Sequence, residues 1–184
     1  MSLNPDYQIK QMKYLFLIAY TLLFKHFPIS SFPVVGNLSK KLRYICGKQI
    51  FKSCGKNVNI ERGASFGKGF ELEIGDNSGL GRYCHVPSNI KIGKDVMMAP
   101  NVFVFHLNHS FVNTEIPMTT QGVTNKEPVV IEDDVWIGRG VYIMPGKKIK
   151  KGSIVAAGTV LTKNFPEYSI IGGNPSKFIK SRKK

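Results

Sequence analysis

Ile131-Glu132-Asp133-Asp134-Val135-Trp136-Ile137-Gly138-Arg139-Gly140-Val141-Tyr142-Ile143 returns an apolar residue every six positions, with Asp134 and Gly140 three places after the first two. Six is neither the period of a helix nor the simple alternation of a half-wet strand. Toward the C-terminus the series continues through Ile149, Val155 and Leu161. Toward the N-terminus, across a 27-residue interruption, it resumes at Val104, Met98, Ile92, Val86, Leu80 and Ile74. Two extra residues then precede Phe66, Ile60 and Cys54. All fifteen positions are apolar, and thirteen of the fifteen residues three places further on are Gly, Asn or Asp. Those residue types tolerate left-handed backbone angles at a turn. Leu107 and Tyr83 are the exceptions, Leu107 where the chain leaves the repeat and Tyr83 without a reason in the sequence. Two signals in one register predict short strands folded round a prism, three hexads to a coil. The coils stack about 4.8 Å apart, so five of them make a solenoid roughly 24 Å tall.

Around this body the composition is uneven. The 184 residues carry a formal charge of +14, of which +8 lies in residues 1–56 and +4 in residues 164–184. The prism itself is nearly neutral, which argues against a nucleic-acid-binding face. Three cysteines without metal-ligand spacing point to a reducing compartment, and hence the cytoplasm, rather than a disulfide framework. Residues 1–53 read as a basic, apolar helical extension, residues 54–166 as the solenoid, and residues 167–184 as a basic tail. Within the extension, residues 7–27 read as one helix, whose apolar run Tyr14 to Phe24 is too short to span a bilayer. That run packs either on its own prism or a neighbouring subunit, or against an anionic membrane surface. Residues 37–53 read as a second amphipathic segment with Leu38, Leu42, Ile45, Ile50 and Phe51 on its apolar side. Pro175 is expected to start a short C-terminal helix.

The long excursion 106–128 is the natural place for chemistry, since loops of that length in compact domains are usually functional or disordered. It holds His106 and His109, and a histidine at the mouth of a loop is a natural general base. Two alternatives stand beside that reading: a histidine that merely pins the loop, and His106 as the base instead. His85 reads as a face residue.

The run from Ile92 to Val102, followed by Asn108-His109, resembles the maltose and galactoside O-acetyltransferases of the hexapeptide-repeat acyltransferases. So do Val130 to Gly138, Ala156 to Lys163, and Gly173-Asn174-Pro175-Ser176-Lys177. The loop, with Pro117 and Gln121-Gly122, is similar to members that modify capsular and lipopolysaccharide sugars. The resemblance covers residues 54–180, about 70% of the chain. It implies a left-handed parallel β-helix and an acetyl-CoA-dependent transferase, working as a homotrimer with active sites between subunits and needing no metal. By the same resemblance His109 is the catalytic base. The resemblance also implies that Gly138, Arg139, Ala157, Thr162, Lys163 and Lys180 bind CoA; Asn101 near the base and Trp136 at the cleft are, by position, the candidates to face the acceptor. Arg139 stands where relatives often have a small residue, so its contact would be through the backbone. Asn101 reads equally as a turn residue, and Trp136 as packing at the prism edge.

Other functions fit less well. A zinc-dependent carbonic anhydrase-like hydratase needs loop histidines about five apart and a third one coil away; His106 and His109 are three apart, and His85 lies 24 before His109. A serine acetyltransferase would need a longer N-terminal helical domain. An amino-sugar N-acetyltransferase could use the same base and groove. A non-catalytic membrane-associated scaffold would use only the basic ends.

Overall fold

In the computed structural model of the protein, which describes residues 5–183, the hexads form a three-sided prism. Face one stacks β1 (Ser53–Cys54), β3 (Glu73–Ile74), β5 (Lys91–Ile92), β8 (Val130–Ile131) and β11 (Lys148–Ile149). Face two carries β2 (Asn59–Ile60), β4 (Gly79–Leu80), β6 (Met97–Met98), β9 (Trp136–Ile137), β12 (Ile154–Val155) and β14 (Ser169–Gly172). Face three holds β7 (Phe103–Val104), β10 (Tyr142–Ile143) and β13 (Val160–Leu161), extended by bridges from Ser65 to His85 and from His85 to Phe103. All these pairs are parallel, and the register joins one hexad residue to the next, as in Ile74, Ile92, Ile131 and Ile149. Of the hexad residues only Cys54, on the first coil, is not fully buried. β14 adds the start of a sixth coil and sets Ile171 on Val155, beyond the five coils that the hexads alone provide.

Turn chemistry explains why the corners hold. Twelve of the fifteen corner positions have positive φ, Tyr83 among them at 54°. Tyr168 does the same at 58°. Each tyrosine lays its ring over the glycine one coil below, Gly63 or Gly152, where a Cβ would collide with the ring. Between faces one and two, side-chain amides form a ladder, Asn57 donating to Asn77 at 3.2 Å and Asn77 to Asp95 at 2.9 Å. Asp76 and Asp133 accept the N–H groups of Lys56 and Lys94 at 2.7 Å, which satisfies backbone donors that the turns leave open.

Two helices plug the first coil. α1 (Pro5–Leu22) and the 3₁₀ turn Phe24–His26 together match the expected first helix. Phe16, Leu17, Tyr20 and Phe24 pack on the core, and the Tyr20 hydroxyl donates to the Ala64 carbonyl at 2.7 Å. α2 (Gly36–Ile50) buries Ser39, Arg43, Cys46, Gly47 and Ile50, whereas Leu38 and Ile45 are exposed. Of the apolar side expected for this segment, Leu38 and Ile45 are therefore turned outward, Leu42 is half-buried, and Ile50 and Phe51 are buried. The reason is local. Gly47 sits so close to Ile60 that a Cβ would collide, and the carbonyls of Ile60, Pro28 and Phe27 need donors, which the Arg43 guanidinium supplies.

The expected C-terminal helix does not form. After the turn at Gly173–Ser176 the chain runs back as β15 (Lys177–Ser181), antiparallel to β14. The last coil would otherwise end on an unpaired strand edge, and β15 satisfies its N–H and C=O groups.

Candidate active site

The excursion 106–128 is an ordered arm rather than irregular chain. His109 bridges antiparallel to Val123, Ser110 N–H donates to Gly122 O at 3.1 Å, and Thr124 N–H donates to Asn108 O at 2.8 Å. At the tip, the Gln121 side chain donates to Asn113 O at 2.7 Å and Ile116 O at 3.0 Å, and accepts from Asn113 N–H at 3.1 Å. This holds the backbone of His109 while its imidazole stays exposed, with no hydrogen bond to it among the described residues. His106, three residues earlier, stays half-buried at the base of the arm. Its carbonyl accepts Glu127 N–H, and its ring lines two shallow hollows of about 290 and 470 Å³. It anchors the arm.

The other candidates fall on three different parts of the prism. Asn101, Gly138, Arg139 and Ala157 stack along the corner between faces two and three. Gly140 N–H donates to Pro100 O at 3.1 Å and Gly158 N–H to Arg139 O at 2.9 Å. A Cβ on Gly138 would lie 2.5 Å from the nitrogen of Ala157, so only glycine fits there. Asn101 has φ 60°, a turn residue first of all. Trp136 and Lys180 share the outward column of face two, where the register runs Met97, Trp136, Ile154, Ile170, Lys180. Trp136 is 49% exposed, so it lies open on that face rather than sealing the core. Thr162 and Lys163 lie on the third edge, between faces three and one, above the arm. Ser176 fixes Thr162, accepting its N–H at 3.0 Å, while Lys163 is exposed.

Within one chain the arm that carries His109 leaves one edge of the prism, and the glycine-rich corner is another. Face three lies between these two edges, and its outer surface is an aromatic stack. His85 lies flat on Phe103 (4.7 Å, 8°), and Phe103 on Tyr142 (5.4 Å, 11°). His85 is thus a face residue, as its position predicts.

Glu61 and Arg82 escape a motif-based reading. With Ser31, Gly81, Met98 and Pro100 they line a hollow of about 230 Å³ beside Asn101. Burial pushes the Glu61 carboxyl up, but hydrogen bonds from Ser30, Asn59 and Arg62 N–H outweigh it and hold it below the usual range. The only sequence trace of this hollow is the pair of charges, each beside a hexad corner. Among the described residues no three His, Cys, Asp or Glu side chains converge as metal ligands would.

Comparison with known proteins places this geometry. The family description "Bacterial transferase hexapeptide (six repeats)" matches residues 128–163. A protein of Saccharomyces cerevisiae, an acetyltransferase by name, is 36% identical over 135 residues, 72% of this chain and 67% of its own. The chain belongs to the hexapeptide-repeat acyltransferases. WbbJ of Escherichia coli, named for O-acetyl transfer in lipopolysaccharide biosynthesis, is 32% identical over 124 residues, 63% of each chain. A crystal structure of a maltose O-acetyltransferase from Clostridium difficile 630 superimposes with a TM-score of 0.74 at 28% identity, over 96% of this chain and 89% of that one. The solenoid is accordingly the left-handed parallel β-helix of this family.

Proposed function

We propose that the protein transfers the acetyl group of acetyl-CoA to a hydroxyl of a sugar or surface-polysaccharide precursor, in the cytoplasm, with His109 as general base. The observation that carries this reading is the arm: it fixes the backbone of an exposed imidazole that has no hydrogen bond among the described residues. His109 takes the proton of the acceptor hydroxyl as that oxygen forms its bond to the thioester carbonyl carbon. The C–S bond then breaks, and the imidazolium returns the proton to the departing thiolate. The thioester supplies an activated acyl carbon with a good leaving group, so no protein nucleophile is needed. Backbone N–H groups at a coil corner are the donors that the fold offers the oxyanion.

The residues along the corner and face two fit a long, phosphate-bearing substrate. Ala157 leaves an exposed ledge at the corner, Trp136 an open ring and Lys180 an exposed cation on face two, while Lys163 is an exposed cation on the edge above the arm. Because His109 and this ledge lie on different edges, a second copy must complete each site. A trimer of parallel prisms would place one copy's arm against the next copy's ledge. The hollow lined by Glu61 and Arg82, which offers a carboxylate and a guanidinium, suits a polyol acceptor. The names of the similar proteins, O-acetyl transfer to maltose and in lipopolysaccharide biosynthesis, point the same way.

Thiol release from acetyl-CoA, measured across a panel of sugars, amino sugars and lipid-linked glycans, tests the proposal. His109→Ala is expected to lower kcat about 100-fold or more with the KM for acetyl-CoA little changed. A variant at wild-type rate would remove His109 from the mechanism. Turnover confined to amino sugars would move the reading to N-acetylation.

A further inference from the structure

α1 and α2 are apolar on the side that the prism does not need. On α1, Leu15, Ile18 and Leu22 form an outward arc, Leu22 being 69% exposed. On α2 the exposed series is Leu38, Lys41, Ile45 and Lys48, spaced three, four and three residues apart on one helix face. At the start of α2, Val34 is 99% exposed with φ 65°, an unusual backbone state for a β-branched residue.

The direction of this surface follows from what the helices plug. Tyr20 and Phe51 pack on Phe66 (4.7 and 4.9 Å between centroids), and Gly47 abuts Ile60, so both helices close the end of the first coil. Their opposite sides therefore face away along the prism axis, where prisms packed side by side do not cover them. Charge decides what does. Asp6 is the only acidic residue among residues 1–56, against nine Lys and Arg. Among the described residues Lys41 and Lys48 have no acidic partner. Two such caps meeting face to face would set like charges against each other, whereas an anionic bilayer offers both hydrocarbon and negative headgroups. No helix of the described residues is long and apolar enough to cross a membrane.

We infer that the outer face of the α1–α2 cap is a docking surface for an anionic lipid bilayer. Leu15, Ile18, Leu22 and Leu38 enter the boundary between headgroups and acyl chains, and Lys41 and Lys48 lie among the headgroups. The prism then stands end-on to the membrane. This surface is separate from the acetyl-transfer site, so either reading can fail without the other.

Flotation of the full chain with phosphatidylcholine vesicles, with and without phosphatidylglycerol, tests it. The chain is expected to float with phosphatidylglycerol vesicles and to be released by salt. Leu15→Glu/Ile18→Glu should reduce the floated fraction about tenfold or more, and Lys41→Glu/Lys48→Glu to a similar degree. The thermal melt and the rate of acetyl-CoA turnover should stay at wild-type values in both variants. Equal recovery with and without vesicles would overturn the inference. So would a Leu15→Glu/Ile18→Glu variant that floats normally but has a smaller mass by light scattering, since the face would then be covered by a second copy.

Discussion

Cys84 shows how far a single side chain can be read. Its hexad neighbourhood marks it as a small apolar residue, and burial pushes its thiol up to about 12. The nearby Cys46 is pushed up to about 11 in the same way. At neutral pH neither forms a thiolate, so iodoacetamide should label them at least about 100-fold faster in urea than in the native protein. Fast native labelling would contradict the buried placement. The linkage to stability has a definite sign. The folded state holds the proton more tightly than the unfolded chain, whose thiol titrates near 8.5. The associated stability is complete below that pH and is lost as pH rises toward 12. Urea midpoints should therefore fall between pH 8 and pH 10. His109 is the opposite case. Its residue type and place in a long loop single it out, but nothing in the hexad pattern says what faces it, because the arm lies outside the repeat.

At the scale of elements, the repeating parts were legible and the unique parts were not. Hexads are read fifteen times over, so a local ambiguity such as Tyr83 is outvoted by its register. α2 occurs once, and its apolar residues mark its buried side only in part: Leu38 and Ile45 face outward, while a fully buried arginine satisfying three carbonyls looks polar in sequence. Substitution should separate the two sides. Arg43→Ala leaves those carbonyls without donors and Glu61 without its guanidinium, and is expected to cost about 3–5 kcal/mol in urea unfolding. Leu38→Ala should change stability by less than about 0.5 kcal/mol. The reverse ranking would put Leu38 on the buried side and Arg43 outside it. β15 was missed for a related reason: what makes it a strand is the open edge of β14, a long-range partner that the tail's own sequence does not show.

On the scale of the whole molecule, the proposed division of each site between two copies would make activity a property of an assembly. Co-expression can expose this. His109→Ala loses the base and Ala157→Trp blocks the ledge, and each alone should be inactive. If each site draws its arm from one copy and its ledge from the next, random mixing returns about one quarter of wild-type activity. Mixtures no better than the single variants would place the whole site in one chain. The two ends of the prism have a consequence of another kind. A pile of parallel ladders is open at both rims, and each rim could template another copy into a growing fibril. Here the first rim is closed by helices, which cannot extend a ladder, and the last by a strand that has turned back on itself. Both closures carry the same sign of charge, +8 in residues 1–56 and +4 in residues 164–184. Head-to-tail joining would press these like charges together, so the appendages also fix the length at which the solenoid stops growing.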